Sequence, residues 1–341
     1  MSQPPTTEVR AGHEFVVANL ESNPTFMLTS ANGAKYVMRK KPPGALISKS
    51  AHQVDREYRV IKALKENTSL PMPQAVCYCS DTKVVGTEFY VMVFCEGRVI
   101  ADNMLLSLPK SERRLYWKAI MDTLAAFHKV DHHAVGLGDY GKSGGYYTRQ
   151  ITNFFRLSED QAKVTDKAGK AVGHLPGFED MRAWFKKNIV KDEVSLFHGD
   201  YKPDNLIMHP TKPIVLAILD WELSTVGHPL ADLAHLLLPF YTSEMPSSYD
   251  GKAETTTKLD IDPPVEELIK MYCVAANRPY PIPGWNFCVA FAIFRMAVIM
   301  QGIAGRYALG QASNPAAQAI GARVPQYTQF ALRLIESAPK L

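Results

Sequence analysis

The apolar and polar positions in the first part of the chain alternate with the two-residue period of β-strands. This alternation predicts five strands, over residues 13–19, 25–29, 34–40, 75–79 and 88–94. Asn32-Gly33, between the second and third strands, is a dipeptide that favours a tight hairpin turn. Helical spacing replaces the alternation over residues 49–65, where one apolar face holds Val54, Tyr58, Ile61 and Leu64. The pattern therefore predicts a small antiparallel sheet with one helix.

From Pro109 onward the apolar positions recur with the period of a helix. Helices are predicted over residues 111–129, 146–162, 178–188 and 285–309, and another is predicted to start at Pro229. The first of them is expected to bury Leu115, Ile120, Leu124 and Phe127. Residues 163–177 are predicted to be an exposed loop and residues 243–260 a flexible polar insertion.

The change of period falls at a polar, glycine-bearing stretch, Cys95-Glu96-Gly97-Arg98. We predict a hinge at residues 93–97 there. Residues 1–95 would then form an N-terminal lobe built on the small sheet, and residues 96–341 a helical C-terminal lobe.

Composition and charge restrict the class of protein. The 341 residues are 46% hydrophobic and 21% charged, which is typical of a globular protein with one large or two medium domains. A net charge of +4 is too small to indicate nucleic acid or an anionic membrane as a partner. No apolar run reaches the roughly 20 residues of a membrane span, since Arg295 interrupts the longest candidate. The oligomeric state is left open.

The cysteines and the two termini bear on the cellular compartment. Five cysteines without a C-x-x-C pair suit a reducing environment, and Cys77 and Cys79 are predicted to be buried thiols. The polar N-terminus does not resemble a signal peptide, so a cytoplasmic location is expected. The chain ends in Pro339-Lys340-Leu341, one residue away from the S-K-L peroxisomal address, and a peroxisomal location is the alternative.

The segment His198-x-Asp200-x-x-x-x-Asn205 keeps both intervals of the kinase catalytic loop H-R-D-x-x-x-x-N. Moving a phosphoryl group from a nucleotide to a hydroxyl requires a proton acceptor and oxygen ligands for Mg²⁺. In this arrangement Asp200 accepts or orients the proton, and Asn205 binds the metal. Asp and Asn are also common in ordinary turns, so the loop by itself is weak evidence.

The residues after the loop make the evidence more specific. Residues 206–208 and 214–219 are apolar runs of strand length joined by a turn, which predicts a hairpin. That hairpin would return Asp220 to the side of Asn205 as a second metal ligand. His128, His132 and His133 lack partners at zinc spacing, so we interpret them as helix-end and loop residues.

The loop between the first two strands lies where a kinase-type sheet covers nucleotide phosphates. It contains no glycine, so its phosphate contacts are expected from backbone amides and from Ser22, Asn23 and Thr25. A plain polar turn is the alternative for each of these side chains.

Arg39 stands at the end of the third strand, in the place of the kinase lysine of V-A-I-K. Its guanidinium suits bidentate contact with phosphates. Glu57, on the following helix, is the candidate partner that would hold Arg39, unless it is simply solvated. The adenine edge is expected to bond backbone groups near Val93 and Cys95.

The segment from Trp221 to Leu230 is too short for the peptide-binding platform of a protein kinase, so a small-molecule acceptor is expected. Arg295 and Arg306 interrupt an apolar helix. They either form ion pairs inside the helical lobe or line a pocket for an anionic acceptor.

Three motifs together resemble the aminoglycoside phosphotransferase and choline kinase-like superfamily. They are His198-Gly199-Asp200 with Asn205, Ile218-Leu219-Asp220-Trp221-Glu222, and Gly227-His228-Pro229-Leu230-Ala231-Asp232-Leu233-Ala234. Other motifs resemble, more narrowly, the kinase-like domain at the N-terminus of some acyl-CoA dehydrogenase family proteins. They are Ser22-Asn23-Pro24-Thr25-Phe26, Tyr36 to Gly44, Arg149-Gln150, and Phe294-Arg295 with Gln301-Gly302 and Arg306.

The resemblance implies an α+β, protein-kinase-like bilobal fold with a small five-stranded antiparallel N-lobe and a mostly helical C-lobe. It implies an ATP- and Mg²⁺-dependent phosphotransferase that acts on a hydroxyl, with a hydroxylated acid or acyl-CoA worth testing as acceptor. The candidate acceptor residues are Arg149, Arg295 and Arg306. The alternatives are a catalytically silent nucleotide-binding scaffold and an aminoglycoside or amino-alcohol kinase.

Overall fold

The computed structural model describes residues 15–18, 23–42, 53–243, 245, 259–312 and 315–337. The strands are β1 (Phe15–Ala18), β2 (Thr25–Thr29), β3 (Lys35–Lys40), β4 (Ala75–Cys79), β5 (Phe89–Val93), β6 (Arg98–Val99), β7 (Ser195–Phe197), β8 (Leu206–Met208), β9 (Val215–Ile218) and β10 (Thr225–Gly227). The helices are α1 (Val54–Asn67), α2 (Thr82–Val85), α3 (Lys110–His128), α4 (Tyr146–Ala162), α5 (Phe178–Lys187), α6 (Pro229–Leu236), α7 (Leu238–Thr242), α8 (Val265–Ala276), α9 (Trp285–Ala308), α10 (Ala317–Ala322) and α11 (Val324–Ser337).

The chain divides into two compact units. The first unit comprises residues 1–140 and 198–225, and the second comprises residues 141–197 and 226–341. The division into lobes at residues 93–97 stays a prediction. The C-terminal tripeptide and most of the expected insertion at 243–260 lie outside the described residues.

An antiparallel sheet in the order β1-β2-β3-β5-β4 forms the N-terminal part of the first unit. Gly33 has a φ of 83° in the β2–β3 turn, a conformation that favours glycine. Helix α1 packs against β4 and β5 through an apolar face that includes Val60, Ile61 and Leu64. Each such buried side chain contributes about 1.5–3 kcal/mol to stability. The sheet and its helix thus follow the predicted pattern.

The buried-thiol prediction for β4 is wrong, because Cys77 is exposed and Cys79 is only partly buried. Strand β4 lies at the edge of the sheet, and Tyr78 stacks on Tyr58 of α1 with ring centroids 5.9 Å apart. Side chains alternate between the two faces of a strand, so the neighbours of Tyr78 face away from α1.

A second, small antiparallel sheet has the strand order β6-β8-β9. Leu206 pairs with Ile218, and the Leu219 N–H donates to the Asn205 carbonyl at 2.9 Å. Helix α3 packs against β9. The predicted burial of Leu115 on α3 is wrong, since its side chain is exposed. Leu115 precedes Ile120 by five residues, which at 3.6 residues per turn places it on a different face.

Aromatic packing dominates the second unit. Helices α4 and α9 pack through Phe155 and Phe294, whose rings stack 4.4 Å apart, and through Tyr147 against Phe287. Gln301 joins α9 to α4 by accepting from Ser158 at 2.7 Å. Residues 145–156 and 285–306 therefore pack against each other. Helix α9 has the length and apolarity of a membrane span, but it is mostly buried, as the core helix of a globular protein is.

Candidate active site

The loop after β7 holds Asp200 and Asn205 against each other. Nδ2 of Asn205 donates to the backbone oxygen of Asp200 at 2.8 Å and to its Oδ2 at 2.9 Å. Gly199 has a φ of 90°, a conformation that favours glycine directly before Asp200. Residues Pro203–Asn205 form one turn of 3₁₀ helix, which brings Asn205 back toward Asp200. The Asp200 side chain keeps 23% of its surface exposed, so the carboxylate is accessible from solvent.

His198 is fully buried and joins this loop to the end of β9. Its Nε2 lies 2.9 Å from the Leu219 carbonyl, and its Nδ1 accepts from the Asp200 N–H at 3.2 Å. A carbonyl only accepts, so Nε2 must carry the proton and the ring is neutral. The imidazole therefore has a positioning role.

Asp220 follows β9 with a φ of 65°. A left-handed backbone is uncommon for residues other than glycine and costs of order 1 kcal/mol, and such strain is frequent at functional sites. The β8–β9 hairpin brings Asp220 to the same cavity as Asn205. The structure thus brings together the two residues predicted to bind metal.

Arg39 lies between two carboxylates. Its guanidinium is 3.0 Å from Oε2 of Glu57 and 3.1 Å from Oδ1 of Asp220. Burial disfavours its charged form, but Tyr90, Glu57 and Asp220 raise the pKa of Arg39 above its ordinary value. Arg39 therefore stays charged, and it lines the cavity.

Glu57 is fully buried and has three donors on its carboxylate. Arg39 and the Tyr90 hydroxyl lie 3.0 Å from Oε2, and Nδ2 of Asn23 lies 2.5 Å from Oε1. Burial raises the pKa of Glu57, and the charge of Arg39 opposes this rise. Glu57 contacts Arg39 as predicted from the sequence, and its burial makes it a positioning residue.

The cavity has a volume of about 500 Å³, within the usual range for a small-molecule site. It lies entirely within the first unit. Its lining residues are Thr25, Val37, Arg39, Ile61, Pro73, Tyr90, Met92, Val93, Phe94, Cys95, Asp204, Asn205, Ile207, Leu219 and Asp220. It therefore extends from the predicted hinge to the candidate metal ligands.

The hinge backbone is partly used by the sheet. The Val93 N–H donates to the Gln74 carbonyl at 2.9 Å, and the Phe94 N–H donates to the Lys35 carbonyl at 3.1 Å. The Cys95 N–H has no such bond to another described residue. Of the two predicted hinge residues, Cys95 thus offers the backbone donor.

The phosphate-loop residues fall in different places. Thr25 lines the cavity, and its hydroxyl donates to the Asn23 carbonyl at 3.0 Å. Asn23 is fully buried and its amide donates to Glu57, so the structure does not place its side chain on the cavity, where the sequence predicted a phosphate contact. Ser22 lies outside the described residues.

Sequence reasoning missed Lys202. Its Nζ lies 3.3 Å from Oδ2 of Asp200 and 3.4 Å from Oδ2 of Asp204. Burial opposes the charge, but the two carboxylates raise the pKa of Lys202. The sequence did contain a signal for this residue, because Lys202 lies two residues from Asp200 on one side and two residues from Asp204 on the other.

The candidate acceptor residues lie in the second unit. Arg149 donates to the carbonyls of Lys142 (3.0 Å) and Gly144, and so holds the glycine-rich loop before α4. Arg295 is half-buried in α9, close enough to influence the pKa of Tyr146. Arg306 is exposed in the last turn of α9, eleven residues or about 16 Å along the helix from Arg295. The structure therefore does not bring Arg295 and Arg306 together.

The N-terminal sheet, the helical C-terminal part and the β8–β9 hairpin define a kinase-like phosphotransferase fold, as the resemblance implied. The model of the phosphotransferase enzyme family matches residues 16–268, and the chain belongs to that family.

Human acyl-CoA dehydrogenase family member 11 is 40% identical over 299 residues, which cover 86% of this chain and 36% of that protein. The chain thus spans about a third of the length of this curated relative. A solved structure from Ralstonia eutropha, provisionally described as an aminoglycoside phosphotransferase, is 35% identical with a TM-score of 0.80, and the match covers 98% of this chain and 96% of the other.

The aminoglycoside phosphotransferase APH(4)-Ia, solved with AMP-PNP and hygromycin B, shares the fold at 13% identity and a TM-score of 0.58, over 95% of each chain. The predicted fold class and family resemblance are confirmed.

Proposed function

We propose that this protein is an ATP- and Mg²⁺-dependent kinase that phosphorylates a hydroxyl group of a small molecule. The observation that carries the proposal is the convergence of Arg39, Asn205 and Asp220 on one cavity, with Asp200 bonded to Asn205. A protein that only binds nucleotide has no need for a carboxylate held in this place.

Asp200 is the proposed proton acceptor. As it orients and deprotonates the acceptor hydroxyl, the hydroxyl oxygen forms a bond to the terminal phosphorus, the bond from that phosphorus to the bridging oxygen breaks, and ADP leaves. The bond from Nδ2 of Asn205 to Oδ2 fixes the carboxylate in one orientation. Lys202, 3.3 Å from the same oxygen, adds a positive charge at the reacting end of the site.

Asn205 and Asp220 fit a Mg²⁺ site. The amide nitrogen of Asn205 is used by Asp200, so its amide oxygen is the atom that would bind metal beside the Asp220 carboxylate. The described residues contain no cluster of three or more His, Cys, Asp or Glu side chains suited to a metal. This suits Mg²⁺, which takes one or two carboxylates and fills its other positions with phosphates and water. When bound, Mg²⁺ neutralises phosphate charge.

The rest of the cavity suits a nucleotide. Arg39 would contact phosphates through its guanidinium, and the Cys95 N–H would donate to the base. We infer a small hydroxylated acceptor, because the chain leaves Asp220 through a short 3₁₀ turn (Trp221–Leu223) and β10 and reaches α6 within nine residues. Hydroxylated acids and acyl thioesters are the first acceptors to test, since the relatives are named acyl-CoA dehydrogenase family members.

The test is turnover of ATP with Mg²⁺ across hydroxylated acids, acyl thioesters, amino alcohols and aminoglycosides, with phosphorylated product identified by mass spectrometry. We expect one class to yield ADP and phosphorylated acceptor in equal amounts, and Asp200→Asn to lower the rate of formation of both by at least about a hundredfold. Nucleotide binding without any phosphorylated product would instead favour a nucleotide-binding scaffold.

A further inference from the structure

Asn23 has an unusual place for a residue beside a phosphate loop. It directly precedes Pro24 and β2, and its carbonyl accepts from Thr25, which lines the cavity. Its side chain, however, is fully buried and donates to Glu57, 34 residues away in the sequence. The backbone of Asn23 thus contacts Thr25, which lines the cavity, while its side chain bonds to helix α1.

The bond from Asn23 completes a chain of polar contacts. Asn23 donates to Oε1 of Glu57, whereas Arg39 contacts Oε2, and Arg39 also contacts Asp220. A carboxylate held at both oxygens cannot rotate freely about its last bond. The orientation of Glu57, and with it that of Arg39, therefore depends on a donor at each oxygen.

We propose that Asn23 is a positioning residue that orients Arg39 toward the nucleotide phosphates through Glu57. This role rests on the proposed function, because it requires that the cavity binds a nucleotide. A neutral amide suits the position, because it donates to the buried carboxylate without adding a second charge that would compete with Arg39. The phosphate loop and the Arg39–Glu57 pair are thereby coupled without a glycine-rich motif.

The test is a double-mutant cycle between Asn23→Ala and Glu57→Gln, read out as affinity for ATP with Mg²⁺. Asn23→Ala alone is expected to raise the Kd about tenfold, as for loss of one hydrogen bond to a charged group. In the Glu57→Gln background the same change should raise the Kd less than about twofold, because the charged carboxylate that it orients is gone. Asn32→Ala, in the exposed β2–β3 turn of the same sheet, is the matched control and should leave the Kd unchanged.

Equal effects of Asn23→Ala in both backgrounds would overturn the proposal, because Asn23 would then act independently of Glu57. If Asn23→Ala does not fold, Asn23→Ser takes its place in the cycle. The same cycle measured by thermal unfolding of the nucleotide-free protein reports the contact itself, and absence of coupling there also overturns the role. If the unfolding cycle shows the coupling but the wild-type protein binds no nucleotide, the result would contradict the proposed function, and the positioning role with it.

Discussion

Asp200 and Asp220 carry the same functional group in different surroundings. Asp200 accepts from the Asn205 amide and lies near Lys202, whereas Asp220 contacts Arg39 and has a left-handed backbone. These contacts are consistent with the proposed roles, Asp200 as the proton acceptor and Asp220 as a ligand of Mg²⁺. Substitutions of the two carboxylates should therefore have different effects on turnover and on nucleotide binding.

We expect Asp200→Asn to lower kcat by about 10²–10⁴-fold, the usual contribution of general-base catalysis, while the Kd for ATP stays within about twofold. Asp220→Ala should instead remove the Mg²⁺ dependence of nucleotide binding. Calorimetric titration with and without Mg²⁺, together with single-turnover rates, separates the two. A wild-type kcat in Asp200→Asn would refute the assignment of the base.

Lys202 should affect turnover more than folding. It is half-buried between Asp200 and Asp204, so Lys202→Met keeps much of the volume and removes the charge. We expect kcat to fall at least about tenfold, with a loss in stability below about 1 kcal/mol. Lys118→Met, which breaks an exposed ion pair with Asp122 on α3, is the control and should change neither quantity.

At the scale of elements, strong local periodicity was enough to predict the first and last residues of several strands and helices. Strands β2 and β4 and helix α4 begin and end where the sequence predicted. The wrong predictions of side-chain burial arose where the local sequence pattern does not determine which element packs against the side chain. The faces of Cys77 and Leu115 depend on the side from which another element packs, and the burial of Asn23 depends on a helix 34 residues away.

The candidate site was predictable to the same extent. Asn205 and Asp220 were predicted because a short hairpin joins them, and the Arg39–Glu57 contact followed from the order of strand and helix. The donors that complete the site, such as Tyr90, could not be found this way. In the sequence, Tyr90 has the pattern of an ordinary apolar strand residue. Only the folded structure shows that its hydroxyl lies 3.0 Å from Glu57.

Gly97 offers a test of how the predicted hinge meets the catalytic hairpin. A Cβ at Gly97 would lie 2.5 Å from the Met208 carbonyl and also against Ile207. A backbone atom cannot move aside easily, so Gly97→Ala should destabilise the fold by about 1–3 kcal/mol. Gly305→Ala, within helix α9, is the contrasting variant. Its Cβ would lie 3.8 Å from Val164, an ordinary contact, so the substitution should stabilise the fold by about 0.5–1 kcal/mol. Denaturant unfolding measures both, and an unchanged midpoint for Gly97→Ala would contradict this packing.

At the scale of the whole molecule, both compact units are built from separate pieces of chain. The first unit joins residues 1–140 to 198–225, and these pieces supply the entire cavity. Composition and local periodicity carry no information about such pairing. Only the motif around Asp200, with its known spacing, predicted that these residues meet a nucleotide held by the N-terminal sheet, and the predicted hinge still assigned them to the C-terminal lobe.

The second unit contains an ion pair that should shape its acid stability. Arg278 donates to both oxygens of Glu193, at 2.5 and 2.6 Å. Mainly through these bonds, the guanidinium lowers the pKa of Glu193 below its ordinary value of 4.5, against the opposing effect of burial. A carboxylate with a lowered folded pKa binds fewer protons in the folded state. Its contribution is therefore fully present above about pH 4.5 and is lost as the pH falls through the lower, folded value.

Arg278→Met should remove this contribution. The Glu193 side chain is 35% exposed, so solvent screening limits the expected loss at pH 7 to about 1 kcal/mol. The difference from the wild-type protein should shrink as the pH falls below 4.5, because Glu193 then becomes protonated in both proteins. Lys163→Met, which breaks the exposed pair with Asp160 in the same unit, should stay within about 0.5 kcal/mol of wild type throughout. Thermal unfolding between pH 3 and 7 checks the sign, and a difference that stays constant toward acid pH would show that Arg278 stabilises the unit by packing rather than through the charge of Glu193.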